Sequence, residues 1–440
     1  MTEIALGGRE DIDSAVAAAN KAFSEWCAVS PRDRGRLLRR FASLIEENGE
    51  RLALLETRNV GKPIRDALAE VQMAADVFDY YAGAVDKHVG MTIPVAGGVD
   101  VTFHEPLGVV GVIVPWNFPI AITAWNVAPA LAAGNAVVVK PSELTPLTAL
   151  ELQELALAAG LPEGLVSVVV GDGATAGQRL VDSPSVAKIS FTGSTPVGRQ
   201  VMRSAAGTLK RVTLELGGKA ANIVFSDADL DQAAHDAVTA VFGNSGQDCC
   251  SRARVLVQRS VYDSFVDRFL LAAAEVRVGD PESPNTDMGP LISETHRQKV
   301  SGFITEDVEV LYRAALPAGP GFWFPPTVVG VDDPRCRLAQ EEIFGPVAAL
   351  MSFEDEADAI QIANDTPYGL SGSVWTKDGA VALRMARALQ VGTLSVNSNS
   401  SVRVSTPFGG VKQSGIGREL GMAAMDAYSE LKNVFIRISA

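Results

Sequence analysis

The sequence predicts an α/β protein: a doubly wound parallel sheet, a second α/β unit after it, and a small β element from strands near residue 100 and at the carboxyl end. Three observations predict this. From residue 109 onward, short apolar runs alternate with helical stretches, the rhythm of a parallel sheet covered on both faces. A second α/β pattern starts near Gly218. Residues 98–106 and 432–438 read instead as exposed strands outside both units.

The elements follow in order. Residues 10–90 read as helical, because Leu37, Leu38, Phe41, Leu44 and Ile45 recur at steps of three and four. The basic run 32–40 is either a phosphate-binding arm or, more plainly, the solvated face of that helix. Strands are predicted at 109–114, 136–139, 167–170, 186–191 and 211–214, with helices at 120–133, 145–159, 174–181 and 196–206. The second unit has strands at 222–225, 254–257 and 347–353, and helices at 230–242, 261–276 and 355–363.

Composition narrows the class. A chain of 440 residues can hold two or three domains, and 47% hydrophobic with 20% charged residues is an ordinary globular balance. A net charge of -14 argues against nucleic acid and anionic membrane surfaces as partners. Residues 120–139 are apolar but broken by Pro129, Gly134 and Asn135, so they read as a buried helix and a strand, not a membrane span. The first residues lack a basic segment followed by an apolar core, so no secretory leader is expected. Cys27, Cys249, Cys250 and Cys336 make no disulfide framework and fit a reducing compartment; a cytoplasmic protein is expected. His88, His104, His235 and His296 are scattered, with no metal-ligand spacing, so no metal is expected.

Several segments carry chemistry. Asn244-Ser-Gly-Gln-Asp-Cys-Cys-Ser251 sets two thiols behind a Gly-Gln turn. Adjacent cysteines are poorly placed to bridge each other. They are either two small buried hydrophobes or they include a nucleophile whose thiolate attacks carbonyl carbon. Phe191-Thr-Gly-Ser-Thr-Pro-Val-Gly198 joins a strand to a helix, either as a tight turn or as a pyrophosphate site at a helix N-terminus. Lys140-Pro-Ser-Glu143 also ends a strand; Lys140 and Glu143 could bind ribose hydroxyls, or the segment is a capped helix start. In Pro115-Trp-Asn-Phe-Pro119, Asn117 is either a turn residue or an oxyanion donor. Glu215, in Glu215-Leu-Gly-Gly-Lys219, is a usable general base if desolvated, and otherwise a surface strand end. Glu341-Glu-Ile-Phe-Gly-Pro346 and Pro407-Phe-Gly-Gly-Val-Lys-Gln-Ser-Gly415 are by themselves aromatic loops.

In this order, with Gly246-Gln-Asp-Cys249 between them, these segments resemble the aldehyde dehydrogenase superfamily over nearly the whole chain. The resemblance implies a Rossmann-like NAD-binding domain (1–87 and 107–217), a catalytic domain (218–413) and oligomerisation strands (88–106 and 428–440) that pair across subunits in a homodimer or homotetramer. It implies Cys249 as nucleophile, Glu215 as general base, and Asn117 with the Cys249 N–H as oxyanion donors. For NAD it implies Lys140 and Glu143 at the adenosine ribose, Gly193 and Ser194 at the pyrophosphate, and Trp116, Leu216, Glu342 and Phe344 at the nicotinamide end. Phe118, Trp125 and Phe408 would line an aldehyde tunnel, and Glu419 would belong to a proton path. The implied reaction is NAD-dependent oxidation of an aldehyde to an acid through a cysteine thiohemiacetal and thioester. The alternatives are a non-catalytic NAD-binding scaffold or a CoA-acylating semialdehyde dehydrogenase. Three features depart from the family pattern. The leading β-hairpin is absent, Asn126 stands where many relatives carry lysine, and residues 305–324 lack the usual Gly-Gly turn.

Overall fold

Four helices lead the chain (Arg9–Trp26, Pro31–Glu47, Gly49–Val60 and Ile64–Ala84) in a computed structural model that describes residues 3–400 and 402–438. Local chemistry sets their ends. Ser30 accepts from the Asp33 N–H and Pro31 takes the first turn of the second helix, while Gly61 closes the third in the left-handed region at φ 90°. The fully buried Trp26 donates Nε1–H to the Leu131 carbonyl at 2.9 Å, which ties the leading helices to Pro119–Ala132.

Three sheets organise the rest. The first has six strands in the order Gly415–Ile416, Arg211–Glu215, Val186–Thr192, Val109–Ile113, Ala136–Lys140, Val166–Val168; all are parallel except the two-residue edge strand. The chain starts in the middle at Val109–Ile113, moves outward through Ala136–Lys140, then returns to Val186–Thr192 on the other side. The carboxyl ends of Val109–Ile113 and Val186–Thr192 therefore flank a switch point, where open α/β sheets leave a crevice. The second sheet has seven strands in the order Val310–Arg313, Thr327–Gly330, Val347–Phe353, Arg254–Gln258, Ala221–Val224, Ser371–Trp375, Thr393–Val396, and only the first is antiparallel. The third is small: Thr92–Ile93, Gly98–Pro106 and Ser429–Arg437.

The third sheet joins the two segments read as exposed strands. Residues 98–106 are paired within the chain. They form the middle strand, bonded to Thr92–Ile93 on one side and, in register from Pro106↔Ser429 to Gly98↔Arg437, to the last strand on the other. The outer strands are Thr92–Ile93 and Ser429–Arg437. The predicted helix at 174–181 is split as well: Gly173–Gly177 is a wide π turn capped by Asp172, and only Gln178–Asp182 is α-helical. Among the described residues no helix is long and apolar enough to cross a membrane.

Arg254 pins the second sheet. It is buried at the start of a central strand and donates to the carbonyls of Lys219 (2.9 Å), Ile362 (3.0 Å) and Ala363 (2.9 Å). Arg254→Met leaves three carbonyls without their donor. At about 1 kcal/mol for each, unfolding free energy is expected to fall by about 3 kcal/mol, read from urea denaturation.

Candidate active site

The first sheet meets the second end to end. Pro115, Trp116, Asn117, Gly193 and Ser194 follow the carboxyl ends of first-sheet strands, whereas Cys249 and Glu342 precede second-sheet strands. Between them lies a cavity of about 220 Å³ lined by Asn117, Glu215, Cys249, Trp116, Leu216, Gly193, Ser194, Glu342 and Phe344, and by His296 and Lys299. Nine of the residues singled out in the sequence thus share one wall-to-wall space. Lys140, Glu143, Phe118, Trp125, Phe408 and Glu419 do not line it.

The thiol loop is tightly held. Asn244, Ser245 and Gly246 run consecutively through the left-handed region at φ 48°, 57° and 68°. Two non-glycine residues there cost energy that the surroundings must offset. Asn244 Nδ2 donates to the Asn117 carbonyl (3.1 Å) and Ser245 Oγ donates to the Gly289 carbonyl (2.8 Å). Asp248 closes the turn by accepting the Cys250 N–H at 2.8 Å, so it acts as a turn cap. The Cys249 thiol is pushed well above its ordinary value, first by hydrogen bonding with the Cys250 thiol and then by burial.

Glu215 lines the same cavity as Cys249. Only 3% exposed, neither of its carboxylate oxygens has a hydrogen-bond partner. Burial, then the nearby Glu419 charge, raise its pKa well above the usual carboxylate range. The glycines after it make room for two neighbours. A methyl on Gly217 would stand 2.4 Å from Glu342 Oε2, and one on Gly218 2.3 Å from the Cys249 carbonyl oxygen. In their place the Gly218 N–H donates to Glu342 Oε1 at 2.9 Å.

Asn117 has one amide N–H committed to the Gln247 carbonyl at 2.9 Å and a second left for the cavity. Its own carbonyl accepts from Lys62 Nζ at 2.9 Å. Lys62 is fully buried, pairs with Glu70, and sits 4.4 Å from the Phe118 ring centre. Burial lifts Glu70 to about 8 and also raises Glu56, which accepts from Ile120 N (3.2 Å) and Thr148 Oγ1 (2.6 Å). Nothing in the sequence singled out Lys62, Glu56 or Glu70. Glu56 and Glu70 lie in helices that also supply core apolar positions, and Lys62 lies in the three-residue link between them.

The aromatic wall is built by crossed rings. Trp116 meets Phe344 at 5.3 Å and 88°, and His296 at 5.3 Å and 65°. His296 Nε2 donates to the Phe344 carbonyl at 2.7 Å and holds Phe344 at a left-handed φ of 58°. Trp125 and Phe408 pair edge to face at 5.3 Å, and with Phe118 and Cys249 they belong to one contiguous apolar cluster. Lys140 Nζ lies 3.5 Å from Glu143 at the end of its strand, and burial lowers its pKa.

A family model described as the aldehyde dehydrogenase family matches residues 1–434. The chain belongs to the aldehyde dehydrogenase family. It is 41% identical to a betaine aldehyde dehydrogenase of Bacillus subtilis, over 98% of this chain and 91% of that protein. It is 44% identical to the human mitochondrial aldehyde dehydrogenase, over 99% and 86%. Among solved structures it superposes on a putative aldehyde dehydrogenase from Burkholderia cenocepacia with a TM-score of 0.98 at 45% identity, covering 100% of this chain and 92% of that one. The crystal structure of PnpE in complex with nicotinamide adenine dinucleotide gives a TM-score of 0.98 at 44% identity, again over 100% and 92%.

Behind Glu215 this dehydrogenase carries a sealed polar network. Asn126, where many relatives were expected to carry lysine, donates to Glu419 Oε1 (2.9 Å) and accepts from Tyr428 OH (2.7 Å). Lys188 donates to Thr213 and lies 4.9 Å from the Tyr428 ring centre; burial lowers its pKa to about 7. Burial raises Glu419 to about 7. The folded protein therefore keeps a proton that the unfolded chain releases from about 4.5 upward. The stability from that proton is fully present below about 4.5 and is lost as pH climbs through about 7. Glu419→Gln is expected to flatten this decline, read as melting temperature against pH over that window.

Proposed function

We propose that this aldehyde dehydrogenase is NAD-dependent and non-acylating, and that it oxidises an apolar or aromatic aldehyde to the carboxylic acid. The observation that carries this reading is the meeting of Cys249, Glu215 and Asn117 with Gly193 and Ser194 in one cavity.

The residues present fit NAD. The crevice lies at the sheet's switch point, beside the N-terminus of the helix Thr195–Ala206, whose free N–H groups favour a pyrophosphate. Gly193 and Ser194 would hold that group. Lys140 and Glu143 would hold the adenosine ribose, and the Glu143 carboxylate disfavours the 2′-phosphate of NADP. Glu342 would hold the nicotinamide ribose, against the ring wall of Trp116, Leu216 and Phe344. Bound there, NAD supplies the acceptor for the hydride that leaves the substrate.

The chain's own groups do the rest. Cys249 gives its proton to water, and the thiolate sulfur bonds to the aldehyde carbon. The carbonyl electron pair moves onto oxygen, where Asn117 Nδ2–H and the Cys249 N–H receive it. Loss of hydride leaves a thioester on Cys249. Glu215 then removes a proton from water, hydroxide adds to the thioester carbon, and the acid departs as sulfur leaves. Glu419 is assigned to the route by which protons leave Glu215; its charge raises the Glu215 pKa, which supports that neighbourhood. Phe118, Trp125 and Phe408 are assigned to the aldehyde side. Their shared cluster with Cys249 supports an apolar approach to the sulfur.

The small sheet supports a homodimer or homotetramer. Phe103, Leu431, Phe435, Ile436 and Ile438 are all at least half exposed, an apolar surface that water disfavours. The four cysteines, all free, support a reducing compartment such as the cytoplasm.

Glu215→Gln is expected to give a single burst of NADH with little further turnover, because acylation outlives the loss of the base for water. Unaltered steady-state rates would remove Glu215 from this role. Acyl-CoA formation on adding coenzyme A would favour the acylating alternative, and NAD binding without turnover of any aldehyde would favour the scaffold. Asn117→Ala is expected to lower kcat by about 100- to 1,000-fold, while Cys249 keeps its alkylation by iodoacetamide.

A further inference from the structure

Two of the four histidines that look scattered in the sequence come together in the fold. His88 follows the helix Ile64–Ala84, His104 lies in the strand Gly98–Pro106, and Asp426 lies in the helix Gly421–Ala427. One ligand atom from each falls within 4.8 Å of the other two. His88 Nε2 stands 2.8 Å from Asp426 Oδ1, and the two imidazole rings lie 3.7 Å apart between centres.

Ser429 Oγ lies between two partners, 3.1 Å from the Met425 carbonyl and 3.1 Å from His104 Nδ1. When its hydrogen goes to Met425 it accepts from His104 Nδ1–H, the tautomer that leaves the Nε2 lone pair for a ligand. A hydroxyl or carbonyl holding the far nitrogen of a histidine is the arrangement that orients metal-ligating imidazoles.

We propose that His88, His104 and Asp426 form a binding site for a divalent metal of the zinc class, clamping the three-stranded sheet to the first domain. Two imidazoles and a carboxylate suit zinc, which takes nitrogen and oxygen ligands at about 2.0–2.2 Å in a tetrahedron and leaves its fourth position to water or a further ligand. Tetrahedral ligands at that range stand about 3.3 Å apart, so the present spacing closes with small side-chain rotations. The clamp spans elements distant in the chain, since His88 and Asp426 are 338 residues apart. Neither histidine touches the cavity that holds Cys249, so the site is structural and not catalytic.

The test uses the full-length, metal-stripped protein titrated with zinc by calorimetry, and with cobalt in the visible spectrum. The competitor is the thiol cluster of Asp248, Cys249 and Cys250, whose ligand atoms also lie within 4.8 Å of one another. The expected result is one metal per chain and a cobalt spectrum without thiolate charge-transfer bands, unchanged in Cys249→Ser. Asp426→Asn, at a largely exposed side chain that folding does not need, is expected to weaken zinc binding about tenfold or more. His88→Ala is expected to abolish it. Thiolate bands that vanish in Cys249→Ser, affinity unchanged in both Asp426→Asn and His88→Ala, or no binding at micromolar metal would each overturn the proposal.

Discussion

The Cys249 loop can lie where it does only because two backbones come within van der Waals contact of it. A methyl on Gly246 would stand 2.2 Å from the Gly345 carbonyl oxygen, and Gly218 meets the Cys249 carbonyl just as closely. No side chain fits at either point. This crowding locks three strand-end segments into one register: the turn after Glu215, the thiol loop, and the Glu342–Phe344 turn. Glu215, Cys249 and Glu342 gain their relative positions from that contact, and the left-handed run at 244–246 is what it costs the backbone. Lys62 and Asn244 complete it from the other side by holding the Asn117 carbonyl.

Electrostatics in the site follow from the same packing. Water is excluded from Glu215, so its carboxylate prefers the neutral form and its pKa rises above the usual carboxylate range. The charges around it are similarly softened. Glu419 and Lys188, buried within one network, are both drawn toward about 7 from opposite directions. Asn126 contributes no charge here; it bridges Glu419 and Tyr428 as donor and acceptor at once.

Much of this was legible in the residues. The valine runs at 109–113 and 136–140 read as strands because they are buried on both faces, and their carboxyl ends carried the motifs that meet in the cavity. Ser371–Trp375 escaped notice because serine and glycine interrupt it, although all five residues are buried and Arg252 Nε donates to Ser373 Oγ. Gly421–Ala427 is too short at seven residues for a helical period to show. Lys62, Glu70 and His296 carry no local mark either. Their meaning depends on partners brought in from elsewhere, as with Lys62 and the Asn117 carbonyl 55 residues away. Short-range pattern reports which face of an element is dry; it does not report which distant element will cover it.

The last twenty residues or so finish a core that the first half of the chain began. Tyr81 donates to the Gly421 carbonyl, Asn135 to the Tyr428 carbonyl and Tyr428 to Asn126, while Gly415–Ile416 supplies an edge strand beside Arg211–Glu215. On the ribosome, therefore, the amino-terminal domain emerges long before its seal does. Asn126 and Asn135 already hold upstream partners at Ile122, Leu107, Gly108 and Ala130, but their bonds to Glu419 and Tyr428 form only once residues 419–428 emerge. A nascent chain cut short of that segment keeps an open polar seam for quality control to find.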